Sequence, residues 1–419
     1  MADGPLSGTR VLDLSIIYAG PYAGMHLSDL GADVVKVEAP SGEPFRSTGA
    51  VVPGQSKVFQ YLNRGKRSLV IDLASAEGRA LLHRIVPGFD VVLHNYRPGV
   101  PERLGFGYET LSALRPDLIY AEVSGFGASG PMAELPGSNI VAEAHGGAMA
   151  MSEKTSEDGA PMRTGVTMAD LSTGTALALG ICAALLHRER TGEGQLVSAS
   201  LLRSVLSQTG MFNMREPVTD AAVRDPLMAE VAALRAGGAP YREQLAARMR
   251  YHDTLGGPFH GGYLTSDGAL AIGALTPSTR AAAQGVLGID ESPEDEEGGD
   301  PLEQRERMAM VRRKVAAVLA SDTRDRWLAR FAEAGVPAAP VHFPEEIADD
   351  PQGATHFVEV EHEQLGAQRQ AAPIVDLSRS PTAIASGSAA LGRHTDEVLR
   401  EQGISDEEIA ELRRSGAVL

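Results

Sequence analysis

The N-terminal half of the chain alternates short runs of β-branched and aliphatic residues with helix-length segments, and this alternation constrains the fold more than any other feature. Thr9–Leu14, Asp33–Glu38, Ser68–Leu73, Phe89–Leu93 and Leu118–Ser124 each read as a strand. A helix begins at Gly20-Pro21 and runs to about Leu30, where Gly31 stops it, and another covers Ala76–Ile85. Strands and helices in this order build βαβ units, and hence a mostly parallel sheet covered by helices. Such sheets take ligands at the carboxyl ends of their strands. The loops after Leu14, Glu38, Leu73, Leu93 and Ser124 are therefore the first places to expect a site.

Further on, Leu171–Arg190 is a long apolar helix, closed by Thr191-Gly192 and followed by a strand, Gln195–Ala199. The pattern then weakens, and residues 211–255 read as a polar, helical linker region. A second unit starts with Gly262–Leu275, two strands around a Ser266-Asp267-Gly268 turn. The acidic run 291–301 reads as a solvated loop. Helices follow at about 302–320 and 322–334, the second amphipathic around Trp327, Leu328 and Phe331. Pro337 and Pro340 interrupt the pattern, and Asp406–Arg414 is a final helix. With 419 residues the chain exceeds one ordinary core. The expected division is a large domain beginning at 1–210, a linker at 211–255, a small domain at 256–340, and a return linker with the rest of the large domain at 341–419.

Composition excludes several classes. One cysteine, Cys182, allows no intramolecular disulfide framework and no thiolate-rich metal site. A net charge of −17 argues against a general nucleic-acid binder. The acidic excess is uneven: residues 1–103 hold eleven Lys and Arg against ten Asp and Glu, so an anionic ligand is best received there. The same imbalance also fits acidic loops that merely keep the chain dissolved. The first residues lack a basic region followed by an apolar run, and the most apolar stretch, Ala176–Leu186, is shorter than the ~18 residues of a bilayer span. The expectation is a cytoplasmic protein with no membrane and no nucleic-acid partner. No histidines fall at metal-ligand spacing with carboxylates, so no catalytic metal is expected; His252 and His260 read as ordinary loop residues.

Two familiar patterns fail on inspection. Gly125-Phe126-Gly127-Ala128-Ser129-Gly130 follows a strand, but Pro131 and Pro136 prevent the helix that a dinucleotide fingerprint needs, leaving a turn-rich glycine loop. Asn63-Arg64-Gly65-Lys66-Arg67-Ser68 lacks the first glycine of a phosphate loop.

Asp170 stands where Met168-Ala169-Asp170-Leu171 enters the long apolar helix. Aspartate there reads as an N-cap worth ~1 kcal/mol. The same place suits a nucleophile: the helix dipole keeps the carboxylate ionised, and nearby N–H groups can receive an oxyanion. The residues alone leave both readings open, with the cap the simpler.

The surrounding segments alter that balance. In order along the chain stand Ile17-Tyr18-Ala19-Gly20-Pro21, then 30–38 (LGADVVKVE), 63–68 (NRGKRS) and 90–99 (DVVLHNYRPG). They are followed by Arg103-Leu104-Gly105, Ser124-Gly125-Phe126-Gly127, Ala169-Asp170, 191–195 (TGEGQ), 335–341 (GVPAAPV) and 391–395 (LGRHT). Together these resemble the class III (CaiB/BaiF-type) coenzyme A transferases, the family of formyl-CoA:oxalate and carnitine CoA-transferases. The resemblance spans nearly the whole chain and is weakest at 211–255 and 288–303.

The resemblance implies an α/β fold: a Rossmann-like, mostly parallel sheet in a large domain completed by the C-terminal segment, a smaller α+β domain, and an interlocked homodimer. It implies an acyl-CoA:carboxylate CoA-transferase, with acyl-CoA and a small carboxylic acid as substrates and no permanently bound cofactor. Asp170 matches the aspartate that attacks the donor thioester, passing through a mixed anhydride and an aspartyl-CoA thioester. CoA-contacting positions map onto Tyr18, Ala19, Ile71, Leu73, Ala74, Asn95, Tyr96, Arg97 and Arg103, with Ser138 and Asn139 in the loop after the fifth strand. Arg97 and Arg103 are assigned to phosphates, Asn95 and Tyr96 to the nucleotide. Some members carry basic side chains at the positions of Ala39 and Ala74, so phosphate binding here is expected to lean on Lys66 or Arg67. Gly256-Gly257 and Gly261-Gly262 partly match the glycine-rich loop that covers the active site in formyl-CoA transferase. Two alternatives remain: an α-methylacyl-CoA racemase on the same fold, and a CoA-binding protein without chemistry. The racemases use a His-Asp pair where this chain has Ser138-Asn139, which cannot remove an α-proton at neutral pH.

Overall fold

Valine, leucine and isoleucine fill alternate faces of five short strands in the N-terminal half, and each face then needs its own cover of helices. In the computed structural model, which describes residues 4–251, 257–293 and 301–419, these strands are β1 (Arg10–Asp13), β2 (Asp33–Glu38), β3 (Arg67–Val70), β4 (Val91–His94) and β5 (Ile119–Ser124). With β6 (Gln195–Ser200) they form a six-stranded sheet in the order β3-β2-β1-β4-β5-β6. Every neighbouring pair is parallel; Val11 stands opposite Val34 on one side and Val91 on the other. The order reverses between β1 and β4, and a crevice opens at that point beyond the carboxyl ends of the strands.

On one face Val11, Val34, Val91, Ile119 and Ala121 pack against α1 (Ala19–Asp29) and α4 (Met168–Thr191), with α3 (Asn139–His145) and α5 (Leu201–Gln208) beside them. On the other, Leu12, Val35, Leu69, Val92 and Tyr120 pack against Leu81, Leu82 and Ile85 of α2 (Ala76–Ile85). Helices α1 and α4 cross closely: a Cβ at Gly174 would stand 2.6 Å from the Ala19 carbonyl oxygen. By length and composition α4 is apolar enough to cross a membrane, longer than the Ala176–Leu186 run suggested. Its Ala169, Leu177, Ala178, Ile181 and Ala184 are instead part of this core.

The chain divides into two compact units, the first comprising Met1–Ala148, Thr164–Asn213 and Pro351–Leu419, the second Met149–Arg163 and Met214–Asp350. The span read as a linker, 211–255, therefore splits at Asn213. Its described remainder forms α6 (Asp225–Ala236) and α7 (Tyr241–Tyr251) of the second unit, because Leu227, Val231 and Ala247 make a small core. Residues 149–163 join them, with Arg248 Nη1 3.4 Å from Glu153 Oε1. The rest of that unit is an antiparallel sheet of β7 (His260–Leu264), β8 (Ala269–Gly273) and β9 (Ala338–Pro340). The Thr265 N–H donates to the Gly268 carbonyl across the 266–268 turn. Helices α8 (Pro277–Leu287), α9 (Pro301–Leu319) and α10 (Arg324–Glu333) supply Leu287, Val315, Leu319, Trp327 and Phe331 to its core. Helix α8, which the sequence reading missed, is fixed by Pro277 and a Thr276–Thr279 capping box. His252, Gly256 and most of the acidic run, 294–300, lie outside the described residues; His260 opens β7.

The chain then returns to the first unit. The expected return linker contains an antiparallel hairpin, β10 (Phe357–His362) and β11 (Gly366–Ala371). Its alternation is largely polar and gives little hydrophobic signal. Helices α11 (Thr395–Glu401) and α12 (Asp406–Ser415) complete the α2 face, where Val398, Leu399, Ile404, Ile409 and Val418 are buried. The His394 N–H donates to the Ser68 carbonyl and the Asp72 N–H to the Ala417 carbonyl, which ties this segment to β3.

Candidate active site

The crevice between β1 and β4 holds a cavity of about 360 Å³. Tyr18, Ala19, Asn95, Tyr96, Arg97, Ser138, Asn139 and Asp170 all line it, together with Ile16, Ile17 and Leu201. Ile71, Leu73 and Ala74 line a second cavity of about 190 Å³ with Ala39 and Asp72, and Tyr96 lines both. Arg103 lines neither; it closes the short turn Val100–Arg103 with its side chain exposed. The glycine loop after β5 opens with a backbone contact: a Cβ at Gly125 would meet the Gly137 Cα at 2.7 Å. That approach brings Ser138 and Asn139 back beside β5.

Asn95 does not offer its amide to the cavity. Its Oδ1 accepts from the Ile16 N–H at 2.8 Å and its Nδ2 donates to the Ile16 carbonyl at 2.7 Å. The next residue, Ile17, has φ 69°, in the left-handed region that a β-branched residue avoids, and its N–H donates to Glu43 Oε2 at 3.0 Å. Asn95 and Glu43 thus hold a strained loop, of order 1–3 kcal/mol, open at the cavity wall. Tyr96 packs its ring against Phe106 and His94.

Asp170 departs from expectation in two ways. The N-cap of α4 is Thr167, and Asp170 lies in the first turn behind it. Its own N–H is taken by Asn139 Oδ1 at 3.1 Å, so that donor is not free for an oxyanion. The carboxyl pKa is pushed up to about 7, first by burial and then by Glu143, so the helix dipole does not keep it in the ordinary carboxylate range. Glu143, on α3, is fully buried and escaped the sequence reading. The one signal was an Asn139–Glu143 pair four residues apart in a helix whose other residues up to Ala144 are apolar.

The cations assigned to phosphates are also redistributed. Lys66 is buried and donates to Asp13 Oδ2 (2.8 Å), the Pro21 carbonyl (2.7 Å) and Asn63 Oδ1 (3.0 Å). Burial pulls its ammonium down to about 8. Arg67 opens β3, at the opposite end of the sheet, and pairs with Asp33, Glu397 and Glu401. Arg79, one turn into α2, instead donates to the Leu73 and Ala74 carbonyls at the rim of the second cavity. Arg97 and Arg103 are exposed, and among the described residues neither guanidinium has a partner.

Comparison with known proteins identifies the family. A family model, "CoA-transferase family III", matches residues 6–395. The chain belongs to that family. This CoA-transferase is 31% identical to succinyl-CoA:glutarate CoA-transferase of Mus musculus over 99% of its own length and 90% of the relative's. It is 33% identical to succinyl-CoA:mesaconate CoA-transferase of Haloarcula hispanica, over 96% of this chain and 97% of that one. Among solved structures, Rv3272 of Mycobacterium tuberculosis superposes with a TM-score of 0.73 at 26% identity, covering 94% of this CoA-transferase and 99% of Rv3272. A CAIB/BAIF family protein from Brucella suis gives 0.71 at 29%, covering 96% and 100%.

Proposed function

We propose that this enzyme moves CoA between an acyl-CoA donor and a carboxylic acid acceptor by covalent catalysis on Asp170. The ionised Asp170 oxygen attacks the thioester carbonyl, the carbon–sulfur bond breaks, and CoA thiolate leaves a mixed anhydride. The thiolate then attacks the Asp170 carbonyl, releasing the donor acid and leaving an aspartyl-CoA thioester; the acceptor carboxylate repeats both steps in reverse. Each step exchanges one activated acyl bond for another, which divides a difficult transfer into easier ones. The place of Asp170 carries the reading: a half-buried carboxylate in the wall of the strand-end cavity, with a pKa near the working pH. Burial also limits water, which would hydrolyse either intermediate.

Arg97, Arg103 and Arg79 are the cations offered to the CoA phosphates. The racemase alternative is disfavoured because no histidine is among the described residues lining the cavity with Asp170. Following the family resemblance, we propose an interlocked homodimer.

The test is mass spectrometry of the enzyme incubated with succinyl-CoA, the donor named for both relatives, and glutarate or mesaconate as acceptor. A CoA-sized adduct on the peptide containing Asp170, absent in Asp170→Ala together with transfer, is expected. Turnover without an adduct on that peptide, or exchange of the α-hydrogen with solvent, overturns the reading.

A further inference from the structure

Glu143 is a carboxylate with 0% exposure and no cation beside it among the described residues. A buried carboxylate ordinarily sits against a cation or a metal. Here its partners are neutral: Asn139 Nδ2 donates to Oε1 at 2.8 Å, and the Thr164 hydroxyl lies 2.8 Å from Oε2. The single Thr164 proton is contested by the Val166 carbonyl at 2.7 Å. Since a carboxylate only accepts, Asn139 must turn its NH₂ to Glu143, and its carbonyl oxygen is thereby aimed at the Asp170 N–H. One chain of contacts runs from the buried carboxylate through an amide to the residue carrying the reactive oxygen.

We propose that Glu143 is a positioning residue for Asp170, orienting Asn139 against the first turn of α4 and setting an uncompensated negative charge beside the nucleophile. The proposal rests on the covalent role of Asp170. Ionised Asp170 is held at high energy next to that charge; bonding to the thioester carbonyl passes its charge to the carbonyl oxygen and then to the leaving thiolate. Both intermediates leave Asp170 neutral, so the repulsion favours their formation.

The other charged or titratable groups around Asp170 are few. Helix α3 adds His145; α1 carries Tyr22, with His26 and Asp29 near its far end; β5 carries Tyr120 and Glu122; α5 carries Arg203; and the cavity wall adds Tyr18, Tyr96 and Arg97. The far end of α4 holds His187, Arg188, Glu189 and Arg190. Glu143, rather than any of these, is the charge that adds to burial in raising the Asp170 carboxyl pKa.

Glu143→Gln keeps the shape and every hydrogen bond: its oxygen accepts from Asn139, and its NH₂ donates to Thr164, whose proton then goes to Val166. With an acid limb near 7, wild-type kcat/KM should be about tenfold lower at pH 6 than at pH 8. In Glu143→Gln the limb should move down by roughly 1–2 pH units, which raises the pH 6 to pH 8 ratio about five- to ninefold. Glu143→Asp should move it back towards the wild-type position. Thr164→Val, a milder change that removes a donor from Glu143, should shift the limb and serves if the glutamine variant does not fold. An unchanged limb in Glu143→Gln or Thr164→Val, with the Asp170 adduct still formed, overturns the positioning role and leaves the nucleophile standing. Turnover by wild type without an Asp170 adduct overturns the nucleophile itself, whatever the variants do.

Discussion

Asp170→Asn should make this enzyme more stable at pH 8 while abolishing transfer. The amide copies the protonated carboxyl in size and charge, so it removes only the cost of ionising a buried group. The carboxyl pKa is raised in the folded chain from 3.8 to about 7, by burial and then by Glu143. The wild-type contribution is therefore fully present below 3.8 and lost as pH rises to and through 7. The ceiling on that loss is ~4 kcal/mol, at ~1.4 kcal/mol per pH unit. Because the side chain is only half-buried, water screens part of it, and about 2 kcal/mol is the working value. Between pH 5 and pH 8 the advantage of the variant should widen by roughly 1–2 kcal/mol. Urea unfolding at a series of pH values measures this. Circular dichroism is the probe to use, since Trp327, the single tryptophan, belongs to the second unit. An advantage that stays constant from pH 5 to pH 8, or a variant less stable than wild type at pH 8, refutes the reasoning.

Two further outcomes concern the buried polar groups near the cavity. Lys66→Met strands the buried Asp13 carboxylate together with the Pro21 carbonyl and Asn63, and should cost ~3–5 kcal/mol in urea unfolding; a loss under ~1 kcal/mol would contradict an intact buried pair. Asn95→Ala removes both hydrogen bonds to Ile16; it should cost ~1–3 kcal/mol and raise the KM for acyl-CoA, and an unchanged KM would show that the Ile16–Ile17 loop does not bear on binding.

The sheet was legible because buried parallel strands are nearly continuous valine and leucine runs, as in β2 and β4, and need no partner to be recognised. Their boundaries shifted by one to three residues; Phe89, for example, belongs to the turn before β4, and β3 stops at Val70. The strand-end loops were legible for the same reason, since the topology decides which loops converge. What could not be read depends on long-range packing. The burial of Glu143 arises only when α3 closes on α4, and so does its share in the raised pKa of Asp170, which burial of Asp170 itself leads. Asn95 does line the cavity, but its attachment to the Ile16 backbone could not be read from the sequence. Lys66 and Arg67 are adjacent in the chain, yet one turns into the core and the other outwards, as successive side chains entering a strand must. The β10–β11 hairpin escaped because Glu359, Glu361 and Arg369 occupy one face and the two valines of the other stand opposite glutamines.

The first unit draws on residues at both ends of the sequence. Val398, Leu399, Ile404, Ile409 and Val418 share a core with Leu12 and Val35, so a nascent chain still held by the ribosome at residue 390 has the proposed nucleophile and the strand-end loops but leaves part of one side of the sheet uncovered. The second unit, Met149–Arg163 with Met214–Asp350, has all its partners well before then and is the part able to fold during synthesis. A premature stop shortly before α11 should therefore yield a protein that keeps the second unit and loses the catalytic one, although every residue assigned to chemistry has been translated.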